Sequence, residues 1–269
     1  MQQIEHFYQE AEQLHQLLVA QPAETFTQET GFKDWTVHDV IRHLYCWNKA
    51  AEFSALCADE LKSYLEQAVP CVMAHGIRSF ERQWSADTHN KDLLGVWWQS
   101  CERLVEVFNG IDPKARLKWA GPDMSARSSI TARLMETWSH GQALYDLYGV
   151  KRQNGAGLKD IADLGVRTFG WSFINRKLPV PEPMPFIELA GPEGQLWQWN
   201  LGGSEHAGHL AHENSVKGSA EEFCLVVAQS RNVQDTALEV KGKVAQQWMA
   251  IAQCFAGPPE NPPVAGSRV

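Results

Sequence analysis

Much that would place this 269-residue chain in a familiar class is missing from it. Its six cysteines, at 46, 57, 71, 101, 224 and 254, include no Cys-x-x-Cys pair. That leaves no zinc-ribbon or thioredoxin-type spacing, and the thiols read as reduced, buried side chains. No apolar run approaches the ~20 residues that span a bilayer. The first residues, Met1-Gln-Gln-Ile-Glu-His, lack the basic and then apolar regions of an export signal. A net charge of −8 and a pI of about 5.7 exclude a general attraction to nucleic acid or to an anionic membrane. There is no Gly-rich phosphate loop, no Gly-x-Ser-x-Gly elbow and no basic patch interleaved with aromatics. With 44% hydrophobic and 21% charged residues the composition is globular. The expectation is a soluble, cytoplasmic protein whose partner is a small molecule, not nucleic acid or membrane. Nothing in the pattern decides between a monomer and a homodimer.

What is present is mostly helix. Ile4, Phe7, Tyr8, Ala11, Leu14, Leu17 and Leu18 recur with a period near 3.6 and predict an amphipathic helix over 2–20. Thr36 is a natural N-cap with Asp39 at N3, and Val37, Val40, Ile41 and Leu44 begin a second stripe. Residues 61–82 read as further helix, interrupted at Pro70 and Gly76. A strong helix follows over 92–108, and another over 131–146 whose first stop signal is Gly149. Four long amphipathic helices joined by polar connections predict a bundle over 1–150. Beyond Gly149 the pattern changes. A helix over 158–173 precedes Pro179, Pro181, Pro183 and Pro185. A hairpin joins 186–190 to 195–200, short strands are expected at 215–217 and 238–240, and helices at 219–229 and 244–255. The fold class is therefore mainly α, a four-helix bundle followed by a small mixed α+β domain over 151–269.

The stretch 131–146 carries the strongest chemical signal. Glu136 and His140 are four apart and share one face of the predicted helix, beside Leu134, Met135, Trp138 and Leu144. A carboxylate and an imidazole next to packed apolar residues suit half of a divalent-metal site, although such pairs also occur on solvated helices. His43 lies beside the stripe of its own helix, where a hydrogen-bonded core histidine is the usual outcome. Cys46, three residues on, is a packed thiol or a fourth ligand. His206, His209 and His212, with Glu205, suggest a second cluster, but the flanking glycines favour a loop with solvated histidines. Arg231 is a candidate to hold a substrate carboxylate bidentately, or a surface arginine. Trp35, Trp138 and Trp119 are candidates to line a pocket or to fill the core. Asp39 reads as a cap, not a catalytic acid.

Three motifs carry a family resemblance: Trp35-Thr-Val-x-Asp-x-Ile-x-His43-Leu44, Gly121-Pro-x-Met-Ser-Ala-Arg127 and Ala132-Arg-Leu-Met-Glu-Thr-Trp-x-His-Gly-Gln142. They resemble the DinB-like metal-binding bundle proteins, and within them the mycothiol-dependent maleylpyruvate isomerase-like group, in its uncharacterised metal-binding branch. Gly165-Val-Arg-Thr, the 218–229 run and Gln253-x-Phe-Ala-Gly-Pro-Pro259 extend the likeness over nearly the whole chain. The resemblance implies that His43, Glu136 and His140 bind a divalent metal, Zn²⁺ or, by availability, Ni²⁺. Three such ligands leave a tetrahedral ion one open position, the pattern of a catalytic site. It further implies a low-molecular-weight thiol as cosubstrate, whether mycothiol, bacillithiol or glutathione, added to a small electrophile by an S-transferase or isomerase in a cleft between the domains. One position departs from the pattern: where relatives carry Asp three residues after the second histidine, this chain has Ala143, and Asp146 is a poor substitute. That departure keeps open a non-catalytic metal-binding or ligand-sensing protein, and a metal-dependent hydrolase.

Overall fold

Helix formation at the N-terminus follows the 3.6-residue stripe closely. In the computed structural model, which describes residues 1–200 and 213–268, α1 (Gln2–Val19) buries Phe7, Ala11, Leu14 and Leu18 completely. Helix α2 (Val37–Leu56) starts on a full capping box: Asp39 N–H donates to Thr36 Oγ1 at 3.2 Å, and Thr36 N–H donates back to Asp39 Oδ2 at 3.1 Å. Helix α3 (Ala58–His75) runs straight through Pro70. The predicted interruption there does not occur, because Pro70 and Glu66 lie on the exposed side, where water can satisfy the carbonyl that the missing N–H leaves unbonded. The chain does break at Gly76 (φ 81), a conformation that side chains resist, and α4 (Ile77–Trp84) sets off in a new direction. Helices α5 (Leu93–Asn109) and α6 (Ala126–Tyr148) complete the first unit, and α6 ends on left-handed Gly149 (φ 63).

Two compact units divide the chain, Met1–Lys151 and Arg152–Val269. In the first, α2 packs on α5, α5 on α1, α1 on α6 and α6 on α2, which closes a four-helix ring, while α3 and α4 lie against α2. Trp97, Leu104, Phe108, Ile130, Leu134 and Trp138, all at most 2% exposed, fill the interior. A buried polar strut crosses it. Asn48 Nδ2 donates to Ser100 Oγ at 3.0 Å, and Asn48 Oδ1 accepts from Arg133 Nε at 3.1 Å, tying α2, α5 and α6 together. A two-residue ribbon, β1 (Arg116–Leu117) with β2 (Met124–Ser125), precedes α6. No helix among the described residues is long and apolar enough to cross a membrane.

The second unit is α+β. Helix α7 (Leu158–Arg167) and helix α8 (Phe169–Ile174) replace the single predicted helix, with the break at Thr168. A mixed sheet follows in the order β4 (Leu196–Trp199), β3 (Phe186–Ala190), β5 (Ser215–Ser219), β6 (Glu239–Lys241). Strands β3 and β5 are parallel and the outer pairs antiparallel, which confirms the predicted hairpin. Helix α9 (Ala220–Val227) is capped by Ser219, whose Oγ accepts from Glu222 N–H at 3.1 Å. It approaches α7 so closely that a Cβ on Gly165 would lie 2.8 Å from Val227 Cγ2. The closing helix α10 (Lys243–Met249) ends six residues before the predicted Phe255 and buries Trp248 against Phe169 and Phe223.

Candidate metal centre

Three side chains from two bundle helices meet at one point. His43 comes from α2, and Glu136 and His140 come from α6, one helical turn apart. Glu136 Oε2 lies 3.4 Å from His43 Nε2 and 3.2 Å from His140 Nε2, and one ligand atom of each residue lies within 4.8 Å of the other two. Among the described residues this is the group of His, Cys, Asp and Glu able to hold an ion. The donor set fits a divalent cation. Ligands at about 2.0–2.1 Å from a tetrahedral zinc stand about 3.3 Å from one another, which is the spacing of the two Glu136 edges. Two imidazoles and one carboxylate suit zinc or nickel.

The surroundings are aromatic. A tight turn before α2 places Lys33 (φ 51) and Asp34 (φ 55) at its centre, and Trp35 N–H closes it onto the Phe32 carbonyl at 2.9 Å. Both central residues at positive φ is the pattern of a type I′ turn, adopted here without glycine. Its two corners reach the cluster. Trp35 stacks on His140, with ring centroids 5.6 Å apart and planes within 6°, and meets His43 edge-on at 5.2 Å; Phe32 meets His140 edge-on at 4.9 Å.

A residue that the sequence reading did not single out completes the cluster. Glu81 on α4 is 1% exposed, and its Oε1 lies 2.7 Å from His43 Nδ1 and 2.9 Å from the donating indole Nε1 of Trp47. No periodicity or motif marks Glu81, because its partner is 38 positions away on another helix. Burial works against a charged His43, yet the Glu81 carboxylate beside it and hydrogen bonds to Glu136 and Glu81 hold its pKa up at about 9. Burial likewise opposes the Glu136 charge, but hydrogen bonds from His140 and His43 keep that carboxyl well below its usual range. His140 is lowered, by burial first and then by the neighbouring His43 charge. Its Nδ1 is buried with no hydrogen-bond partner among the described residues.

The other candidates fall elsewhere. Cys46 is a fully buried thiol 3.9 Å from the Glu81 carbonyl, pushed up strongly by burial and by the Glu81 charge, and is not part of the ligand group. Trp138, 2% exposed, belongs to the bundle core. Trp119 packs beside Trp47, ring centroids 5.9 Å apart, on the cluster built around Leu61 and Tyr64. Arg231 belongs to the second unit, where its Nη1 donates to the Ser230 carbonyl at 3.0 Å. Asp39 is the cap expected of it and also accepts from Arg82 Nη2 at 2.7 Å. Ala143 is half-buried, and Asp146 accepts from Gln142 at 2.8 Å. The histidines 206, 209 and 212 lie outside the described residues.

Fold and cluster together define a class: a mainly helical protein with a metal-compatible His–Glu–His group shared by two helices of its bundle. Residues 7–145 match the family described as the mycothiol maleylpyruvate isomerase N-terminal domain. The chain belongs to that family. Two uncharacterised proteins of Mycobacterium tuberculosis, from strains CDC 1551 and H37Rv, are 36% identical to it over 250 residues, 93% of this chain and 93% of theirs. The crystal structure of a mycothiol-dependent maleylpyruvate isomerase superposes with a TM-score of 0.53 at 14% identity, covering 85% of this chain and 88% of that one. A histidine-to-alanine mutant of that enzyme gives 0.51 at 13% identity, with the same coverage. At these identities the likeness is one of fold.

Proposed function

We propose that this protein is a divalent-metal-dependent enzyme that uses a low-molecular-weight thiol, mycothiol by family, on a small electrophilic substrate, as an S-transferase or isomerase. The observation that carries the reading is the convergence of His43, Glu136 and His140, with both Glu136 edges at the ligand spacing of a tetrahedral ion, in a member of the mycothiol maleylpyruvate isomerase N-terminal family. Three protein ligands leave one position for an exogenous group. A bound zinc or nickel would supply Lewis acidity and lower the pKa of a thiol held there. The chain's own residues do the rest. Glu136 contributes the one anionic donor, His43 and His140 contribute neutral ones, and Trp35 and Phe32 restrict water around them.

A second reading, a metal-binding or ligand-sensing protein without catalysis, is favoured by one observation. Among the described residues His140 Nδ1 has no acceptor, and the side chain three residues on, Ala143, cannot provide one. Titrating cobalt-substituted protein separately with mycothiol, bacillithiol and glutathione distinguishes the two. A thiolate-to-cobalt charge-transfer band with mycothiol is the expected result. Silence toward all three thiols, with cobalt demonstrably bound, would move the assignment to sensing.

A further inference from the structure

The two histidines of the cluster are ligands of the same kind but differ in what stands behind them. Among the described residues His140 Nδ1 is buried with no hydrogen-bond partner, whereas His43 Nδ1 lies 2.7 Å from a carboxylate that is itself 1% exposed. That carboxylate, Glu81, receives hydrogen bonds from both His43 and Trp47 on the single atom Oε1, and these two donors are four residues apart on one face of α2. Local sequence does not require an acid here. A glutamine would avoid the cost of burying a charge, but its amide can present either oxygen or NH2 to Nδ1 and so would not fix the proton on that nitrogen. The charge gains a purpose if the imidazole must be a strong and correctly oriented donor. A carboxylate at Nδ1 keeps the proton on that nitrogen, leaves the lone pair on Nε2, the nitrogen facing Glu136 at 3.4 Å, and raises its basicity. The backbone is arranged to deliver the acid. The turn at Gly76 (φ 81) redirects the chain into α4, and Phe80 anchors that helix in the cluster around Leu61 and Tyr64.

We infer that Glu81 is a positioning residue for the metal: it selects the tautomer and orientation of His43, and so makes the α2 arm of the centre the preorganised one. The inference rests on the proposed metal site and deepens it. The test uses full-length protein and zinc alone. Affinity is measured by competition with a chromophoric chelator above about pH 9.5, where a proton on His43 no longer competes with the ion, for the wild type, Glu81→Gln and Trp47→Phe. Glu81→Gln should bind zinc about 10- to 100-fold more weakly, the loss typical of an outer-shell partner. Trp47→Phe, which removes the other hydrogen bond to the same oxygen, should lower the melting temperature and leave zinc affinity within about threefold. Equal affinity for Glu81→Gln and wild type, or equal weakening in both variants, overturns the positioning role. A wild type that binds no zinc overturns the metal reading itself. If Glu81→Gln does not fold, ¹⁵N-histidine spectra of the zinc-loaded wild type decide the point: His43 should carry its proton on Nδ1 and the metal on Nε2, and the reverse assignment refutes the inference.

Discussion

Near pH 7, loading the centre should exchange one proton for the ion, falling to about half a proton at pH 9. In the metal-free protein burial opposes protonation of His43, but Glu81 beside it and the hydrogen bonds to Glu136 and Glu81 hold its pKa at about 9. An ion at Nε2 needs that nitrogen's lone pair, so the proton must leave. At pH 7 roughly one His43 in a hundred is neutral, so apparent zinc affinity should be about 100-fold below the limit reached above pH 9, rising about tenfold per pH unit between. The other ligands add no slope. His140 is lowered below its ordinary value by burial and by the His43 charge, and Glu136 is ionised throughout. Stability should move in the same window. A histidine raised from 6.5 to about 9 stabilises the metal-free fold fully below pH 6.5, and that contribution is lost as pH rises through 9. It amounts to roughly 3 kcal/mol on a scale of about 1.4 kcal/mol per unit. The assay is chelator competition at half-unit pH steps, with calorimetry in buffers of different ionisation enthalpy to count protons. Affinity that stays flat from pH 7 to 9, or a stoichiometry of no protons or two near pH 7, would refute the reasoning.

Two further outcomes follow from the same geometry. Replacing both His43 and His140 with Ala should abolish stoichiometric metal while far-ultraviolet circular dichroism stays helical; full metal content in the double variant would exclude this centre. Asp39→Ala should destabilise the first unit by about 1–3 kcal/mol in denaturant unfolding, about 1 from the lost carboxylate half of the α2 capping box and the rest from the buried end of the Arg82 pair. An unchanged unfolding midpoint would show that α2 does not depend on this cap.

Helices, caps and one half of the site were legible in the sequence because they are local. A 3.6-residue stripe must bury one face whatever it packs against, so α1, α2, α5 and α6 could be read from their leucines, valines and tryptophans. Thr36 with Asp39, and Gly149, mark helix ends through bonds made within a few residues. Glu136 and His140 share a face because helical geometry alone puts them there, whereas His43 could be joined to them only through the family resemblance. Tertiary structure decided what depends on docking. Pro70 stays inside α3 because its side of the helix is exposed, and the α7–α9 contact at Gly165 depends on how closely two helices approach. Trp35 and Phe32 come to His140 through a turn with two positive-φ residues that are not glycine, so no turn signature announced it. Glu81 looked like one more acid on a polar helix until α4 lay across α2. Which buried carboxylate meets which imidazole is set by that crossing, a long-range contact with no period in the sequence to betray it.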